Sequence, residues 1–122
     1  MKFSEQHIDN SLNYIKSYSP KSVTVKNKVY KNNIIIPSKK AIIELNIKFN
    51  DFKIDNFPLE VLDEVNLVII GYNTFSNNKT PLLFQLNEKS IGSEIMNLES
   101  TYRTHNILLS EERNFCSIIF YD

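Results

Sequence analysis

The chain has 122 residues, 42% of them hydrophobic, and its 14 Lys and Arg balance its 14 Asp and Glu to a formal net charge of zero. A chain near this length buries roughly two-thirds of the surface it exposes when unfolded, so one globular domain can fold without a metal or a disulfide. The even charge argues against the clustered Lys and Arg surplus that a nucleic-acid footprint or a strongly basic membrane surface requires.

No repeat, low-complexity linker or Pro/Gly-rich hinge divides the sequence, so a single domain over residues 1–122 is expected. The first half reads as strands. Ser22 to Val25 and Lys28 to Tyr30 flank a turn at Lys26-Asn27, and the β-branched run Ile34-Ile35-Ile36 is closed by Pro37. Asn32-Asn33 suggests a second reversal, because Asn tolerates the left-handed backbone of tight turns. Ala41 to Phe49 alternates weakly, as a strand or an extended loop. From Phe57 the pattern changes: Pro58 suits a first helical position, and Leu59, Leu62 and Val65 are spaced for a helical turn. Asn66 to Ile70 is apolar on consecutive residues, as in a strand covered on both faces, and ends at Gly71. Beyond a polar loop, Leu82, Leu83 and Leu86 suggest a short helix, Ile91 to Met96 a second inner strand, Glu99 to Glu112 the best helix, and Cys116 to Tyr121 a final apolar strand. An α/β domain with an N-terminal β-rich half follows. Strands near 22–25, 33–36, 66–70, 93–96 and 116–121 are expected in one sheet, with the 99–112 helix packed on it.

On a helical wheel at about 100° per residue, Leu98, Tyr102, His105, Leu108 and Leu109 share a side. That side is the core face. Arg103, Asn106, Ser110 and Glu111 project from the other, where Ile107 is the one apolar residue.

The charged set is skewed, with 12 Lys against only Arg103 and Arg113, alongside 16 Asn and 16 Ile, the signature of an AT-rich genome. Scattered Lys and Asn therefore read as default surface residues, and the two arginines stand out. Cys116 is the only cysteine, which excludes an internal disulfide or a cysteine-only zinc site and fits a reducing, cytoplasmic compartment. The N-terminal MKFSEQHIDN holds no apolar run and Leu67-Val68-Ile69-Ile70 is far too short to span a bilayer, so neither a secretory signal nor stable membrane insertion is expected.

Three stretches carry a family resemblance: Ile91-Gly92-Ser93-Glu94-Ile95-Met96, the run Arg103-Thr104-His105-Asn106 through Glu111-Glu112-Arg113, and the apolar terminal strand. They resemble the Mth938-like domains, a small α/β family of unknown function that includes the mitochondrial complex I assembly factor and an adipogenesis-associated protein. That family's tail has a Gly-Ile strand with a Glu and a Met, an Arg-Thr-Tyr-Asn helix and a Glu-Gly-Arg exit. His105 stands at the Tyr, and Glu112 at the exit Gly. The family's Gly-Thr-Gly after the central strand is similar to Gly71-Tyr72-Asn73, with Asn73 at the second Gly. Asn73 can still adopt positive φ, but its side chain occupies space that glycine leaves open to a ligand. The family usually opens its last helix with Asp-Thr and small residues; here Asn97-Leu98-Glu99-Ser100-Thr101 offers Asn97 as N-cap. The resemblance covers nearly the whole chain in element order. It implies a three-layer fold with a central mixed sheet, and brings no catalytic residue and no cofactor.

The candidate chemistry is sparse. His105 beside Asn106 suggests a general base, yet its place on the apolar face favours a packed core histidine. His7 and His105 alone cannot close a metal site, which needs three or four ligands. Cys116, in an apolar run without a basic neighbour, reads as an inert buried thiol. Gly71, Tyr72 and Asn73 follow a buried strand, where open α/β sheets gather ligands, and equally a strand-ending turn. Arg103, Asn106, Glu111 and Arg113 form the strongest constellation, either as a binding surface or as an Arg–Glu clamp in which Arg113 reaches Glu111 or Glu94. No catalytic set is complete. The expected function is therefore a non-enzymatic binding or assembly module with a protein partner, acting through Gly71, Tyr72, Asn73, Arg103, Asn106, Glu111 and Arg113. The alternative is a small anionic metabolite, with possible enzymatic consequence, in a cleft between the Gly71 loop and Arg103. No metal or nucleic acid is expected, and the oligomeric state is left open.

Overall fold

The structure, a computed structural model, describes residues 11–73 and 79–122. His7 and most of the polar loop before Leu82 lie outside the described residues. β1 (Ile15–Ser19), β2 (Ser22–Val25) and β3 (Lys28–Tyr30) form an antiparallel sheet in the order β1-β2-β3. Its β2–β3 turn is the expected one: Lys26 and Asn27 sit at φ 50° and 69°, the left-handed pair whose twist suits a two-residue hairpin.

A second sheet has the order β5-β4-β8-β6-β7, built from β4 (Ile34–Pro37), β5 (Ile43–Glu44), β6 (Leu67–Tyr72), β7 (Gly92–Met96) and β8 (Phe115–Phe120). β6 pairs in parallel with β7 and β8, while β4 runs antiparallel to β8 and β5, so the sheet is mixed. Residues 67–70 and 115–120 share it as expected, but 22–25 do not. The Asn32-Asn33 segment passes from one sheet to the other, and neither residue takes positive φ. Asn33 works through its side chain: Oδ1 accepts from the Tyr121 backbone N–H, and Nδ2 donates to the Ile47 carbonyl and Asp122 Oδ1.

Period-two alternation in β8 and β6 splits the core in two. Cys116, Ile118, Phe120, Val68 and Ile70 face a layer made by Phe49, Phe52, Phe57, Val61 and the helix α2 (Thr80–Glu88), which buries Leu82 and Leu86. Ile119, Ile34 and Ile36 face the opposite way, toward Ile15, Val23 and Val25 of the small sheet and toward the helix α3 (Leu98–Ser110). Phe115 and Ile69 meet Leu108 and Leu109 on that same side. The result is the expected three layers, with the mixed sheet in the middle.

Three local expectations need correction. The first short helix, α1, covers only Leu59–Leu62 with Pro58 as its N-cap, and it buries Val61 while Leu59 is 75% exposed. β7 is an edge strand, since α2 and α3 cross over on opposite faces of β6 and leave β7 outermost. Gly71 lies inside β6 rather than in a turn after it.

α2 and α3 end alike. Ile91 N–H donates to the Leu86 carbonyl and Arg113 N–H to the Leu108 carbonyl, six-residue closures whose penultimate residues, Ser90 and Glu112, sit at φ 61° and 57°. At the other end of α3, Asn97 is the N-cap as expected, its Oδ1 accepting from Ser100 N–H at 2.8 Å.

The core face of α3 is the one read from the wheel, with Leu98, Tyr102, His105, Leu108 and Leu109 buried and Ile107 56% exposed. Leu109→Ala should therefore cost about 2–5 kcal/mol, and Ile107→Ala less than about 0.5 kcal/mol, in denaturant melts; the reverse ranking would contradict this seating of the helix.

Candidate functional site

The parallel strands β6 and β7 run toward Asn73 and Asn97 at their carboxyl ends, the position at which α/β sheets offer a crevice. A cavity of about 450 Å³ opens here, lined by Tyr18, Ser19, Pro20, Asn73, Asn97, Leu98, Glu99 and Tyr102. Its aromatic wall is the Tyr18–Tyr102 pair, with ring centroids 4.7 Å apart. Its polar wall is a chain: the Tyr18 hydroxyl donates to Glu99 Oε1 at 2.8 Å, and Arg103 Nη2 donates to the same oxygen at 3.0 Å.

Of the seven residues singled out in the sequence, four are engaged in holding the fold. Gly71 lies beneath α3, where an added Cβ would sit 2.7 Å from Thr101 Oγ1 and 3.0 Å from Thr101 Cβ, so the strand and helix meet backbone to side chain. Tyr72 points to the other face of the sheet and stacks on Phe49, centroids 3.7 Å apart. Asn73 Oδ1 accepts from Leu98 N–H at 2.9 Å, satisfying one donor at the start of α3, and its backbone does not need positive φ. Asn106 pairs both ways with one residue of β1, accepting from Ile15 N–H at 2.9 Å and donating to the Ile15 carbonyl at 3.0 Å. Its carboxamide thus takes the place of a neighbouring strand on that edge.

Arg103, Glu111 and Arg113 remain exposed. Arg103 holds Glu99 one turn back, as an exposed pair. Arg113 makes no ion pair with Glu111 or Glu94 among the described residues, so it is not the internal clamp; its backbone closes the end of α3 instead.

Asn13 and Lys79 are buried polar residues that the sequence does not single out as sites. Asn13 donates from Nδ2 to the Pro37 and Lys40 carbonyls and from its backbone to the Ser38 carbonyl. Lys79 is 4% exposed, donates from Nζ to the Phe52 carbonyl at 2.8 Å and lies 4.7 Å over the Phe49 ring. Burial pushes its ammonium below the ordinary lysine range; Asp51 and Asp122 oppose that shift and Lys53 adds to it. Nothing in the local sequence separates Lys79 from the other lysines, because its burial depends on the distant Phe49 and Phe52.

His105 is a core residue, as expected. Nε2 lies 2.9 Å from the Asn13 carbonyl, which can only accept, so Nε2 carries the proton and Nδ1 accepts from the Ser117 hydroxyl at 2.8 Å. Burial pushes its pKa down to about 4, against the opposing pull of the Asn13 bond. Burial likewise pushes the Cys116 thiol up to about 12, the inert state expected of it. Among the described residues no group of three or more His, Cys, Asp or Glu side chains could hold a metal ion, and no helix is long and apolar enough to cross a membrane.

Residues 15–120 match the family described as Protein of unknown function (DUF498/DUF598). The chain belongs to this family. No curated protein matches the sequence. Among solved structures, a Mth938-like domain from Bordetella pertussis is similar at TM-score 0.70 and 17% identity, covering 100% of this chain and 93% of that one. An outer membrane protein from Bartonella henselae is similar at TM-score 0.76 and 22% identity, over 91% and 96% of the two chains. A Xanthomonas campestris protein is similar at TM-score 0.75 and 17% identity, over 99% and 92%. At these identities the likeness establishes the fold that the family shares.

Gly71→Ala should destabilise the domain by about 1–3 kcal/mol, because the new methyl must displace a threonine already bonded to the Asn97 carbonyl at 2.8 Å. Adding Thr101→Ala should return part of that loss, and strict additivity in a double-mutant cycle would show that the two residues do not meet. For His105 the folded pKa of about 4 lies below the ordinary 6.5, so the unfolded chain binds the extra proton. The stability held by the neutral ring is present above the unfolded value and falls away by on the order of 3 kcal/mol as pH drops toward 4. NMR titration of the ring should stay flat down to about pH 5, and a midpoint near the free-histidine value would refute the buried assignment.

Proposed function

We propose that this chain is a non-enzymatic binding or assembly module that presents the outer face of α3 to a protein partner. The observation that carries the reading is Ile107, an aliphatic side chain 56% exposed on a helix whose apolar residues are otherwise packed. Arg103 precedes it by one turn and Glu111 follows by one, so the outward face offers an apolar centre between charges of opposite sign. Arg113 adds a second exposed guanidinium just beyond. An apolar residue beside arginine is the composition that interface centres favour, because the planar guanidinium both stacks and donates in several directions.

An anionic metabolite in the neighbouring cleft is less well supported. The Glu99 carboxylate stands in its wall, and the Asn73 and Asn97 oxygens already engage the Leu98 and Ser100 N–H groups that would bind an anion. A cytoplasmic location goes with the module reading, on the single cysteine.

Native pull-down with mass spectrometry tests the proposal. Arg103→Ala and Ile107→Asp should each leave stability within about 0.5 kcal/mol of the parent, since both positions are exposed, while depleting the partner that the parent recovers. If both variants keep that partner, the outer face of α3 is not the interface.

A further inference from the structure

Lys79 differs from an ordinary lysine in three independent ways. Its side chain is withdrawn from solvent, at 4% exposure. Its Nζ is held in place by the Phe52 carbonyl and the Phe49 ring, with no carboxylate within ion-pair distance among the described residues. It also lines a cavity of about 250 Å³, together with Asn50, Phe52, Asp55, Leu82 and Gln85. A structural tether needs the first two features but not the third.

We propose that Lys79 is a carbonyl-reactive amine that condenses with a small aldehyde or ketone in this cavity to form a protonated imine. The ammonium first gives up a proton, and the Nζ lone pair then forms a bond to the carbonyl carbon. The carbonyl oxygen takes up protons and leaves as water, so ammonium plus carbonyl becomes protonated imine plus water with no net change in charge. The site suits both ends of this exchange. Burial disfavours the compact ammonium, and the nearby charges divide, Asp51 and Asp122 favouring the cation and Lys53 opposing it, with the Asp55 side chain in the cavity wall. The imine cation spreads its charge over nitrogen and carbon and loses less on leaving water. It keeps one N–H for the Phe52 carbonyl, and the Phe49 ring still faces a cation. This site is independent of the outer face of α3.

Reductive trapping tests it. The full chain is treated with propanal and cyanoborohydride near pH 6, digested, and each lysine's labelling rate is read by mass spectrometry. Lys79 should label at least about fivefold faster than the exposed Lys21, Lys48 and Lys89. The advantage should vanish in urea-unfolded chain. Lys79→Arg should remove the fast-labelling site without transferring it to Lys53. Labelling of Lys79 no faster than the exposed lysines, an advantage that survives unfolding, or an equally fast Lys53 in the variant would each overturn the proposal.

Discussion

Helix α3 lies against β6 at a distance that only a strand residue without a side chain permits, and much of the architecture follows from that contact. With Thr101 seated over Gly71, the helix is near enough for His105 to reach Ser117 on the central strand, and for Leu108 and Leu109 to close over Phe115 and Ile69. The same seating brings Tyr102 and Leu98 against the small sheet and Asn106 to the edge of β1. α3 is thus the joint between the two sheets, and the Gly71–Thr101 contact sets how deeply the joint is driven in.

Around that joint, carboxamides do what backbone pairing does elsewhere. Short irregular segments leave N–H and C=O groups unpaired, and each such group loses free energy when buried alone. Asn33, Asn73, Asn97 and Asn106 satisfy them one or two at a time, and Asn13 satisfies them while also receiving the proton-bearing side of His105. A carboxamide suits the task because one planar group both accepts and donates, as a peptide unit does. At Asn33 and Asn106, where both ends of the carboxamide are engaged, substitution by Asp would keep the acceptor and lose the donor, so these two positions distinguish residues that often exchange at surfaces.

The sequence was legible wherever one period or one terminus signal was sufficient. The apolar stripe of α3, the Asn97 cap, the Lys26-Asn27 hairpin turn and the buried Cys116 and His105 all follow from neighbours within a few residues. What stayed hidden depends on partners far along the chain. Gly71 reads like a strand-ending turn until Thr101 is placed above it, and Asn106 reads like a polar surface residue until Ile15 arrives beside it. Lys79 is concealed by composition, since 12 lysines make any one of them look ordinary. The division into two sheets is hidden for a related reason: 22–25 and 34–37 have similar strand patterns, and nothing local says that Asn33 will engage the C-terminal residues through its side chain instead of bending its backbone.

The left-handed residues of the turns are almost all ones that resist that conformation. Only two glycines are present, and neither occupies any of the four positive-φ positions among the described residues, which fall to Lys26, Asn27, Ser90 and Glu112. Asparagine tolerates that conformation, but each of the other three stores on the order of 1 kcal/mol that glycine would release. Lys26, Ser90 and Glu112 therefore put a mechanical load on three turns. For a domain of this size, roughly 4 °C of melting temperature goes with each kilocalorie, so these three side chains lower the thermal ceiling of the fold by about ten degrees without touching a single core contact.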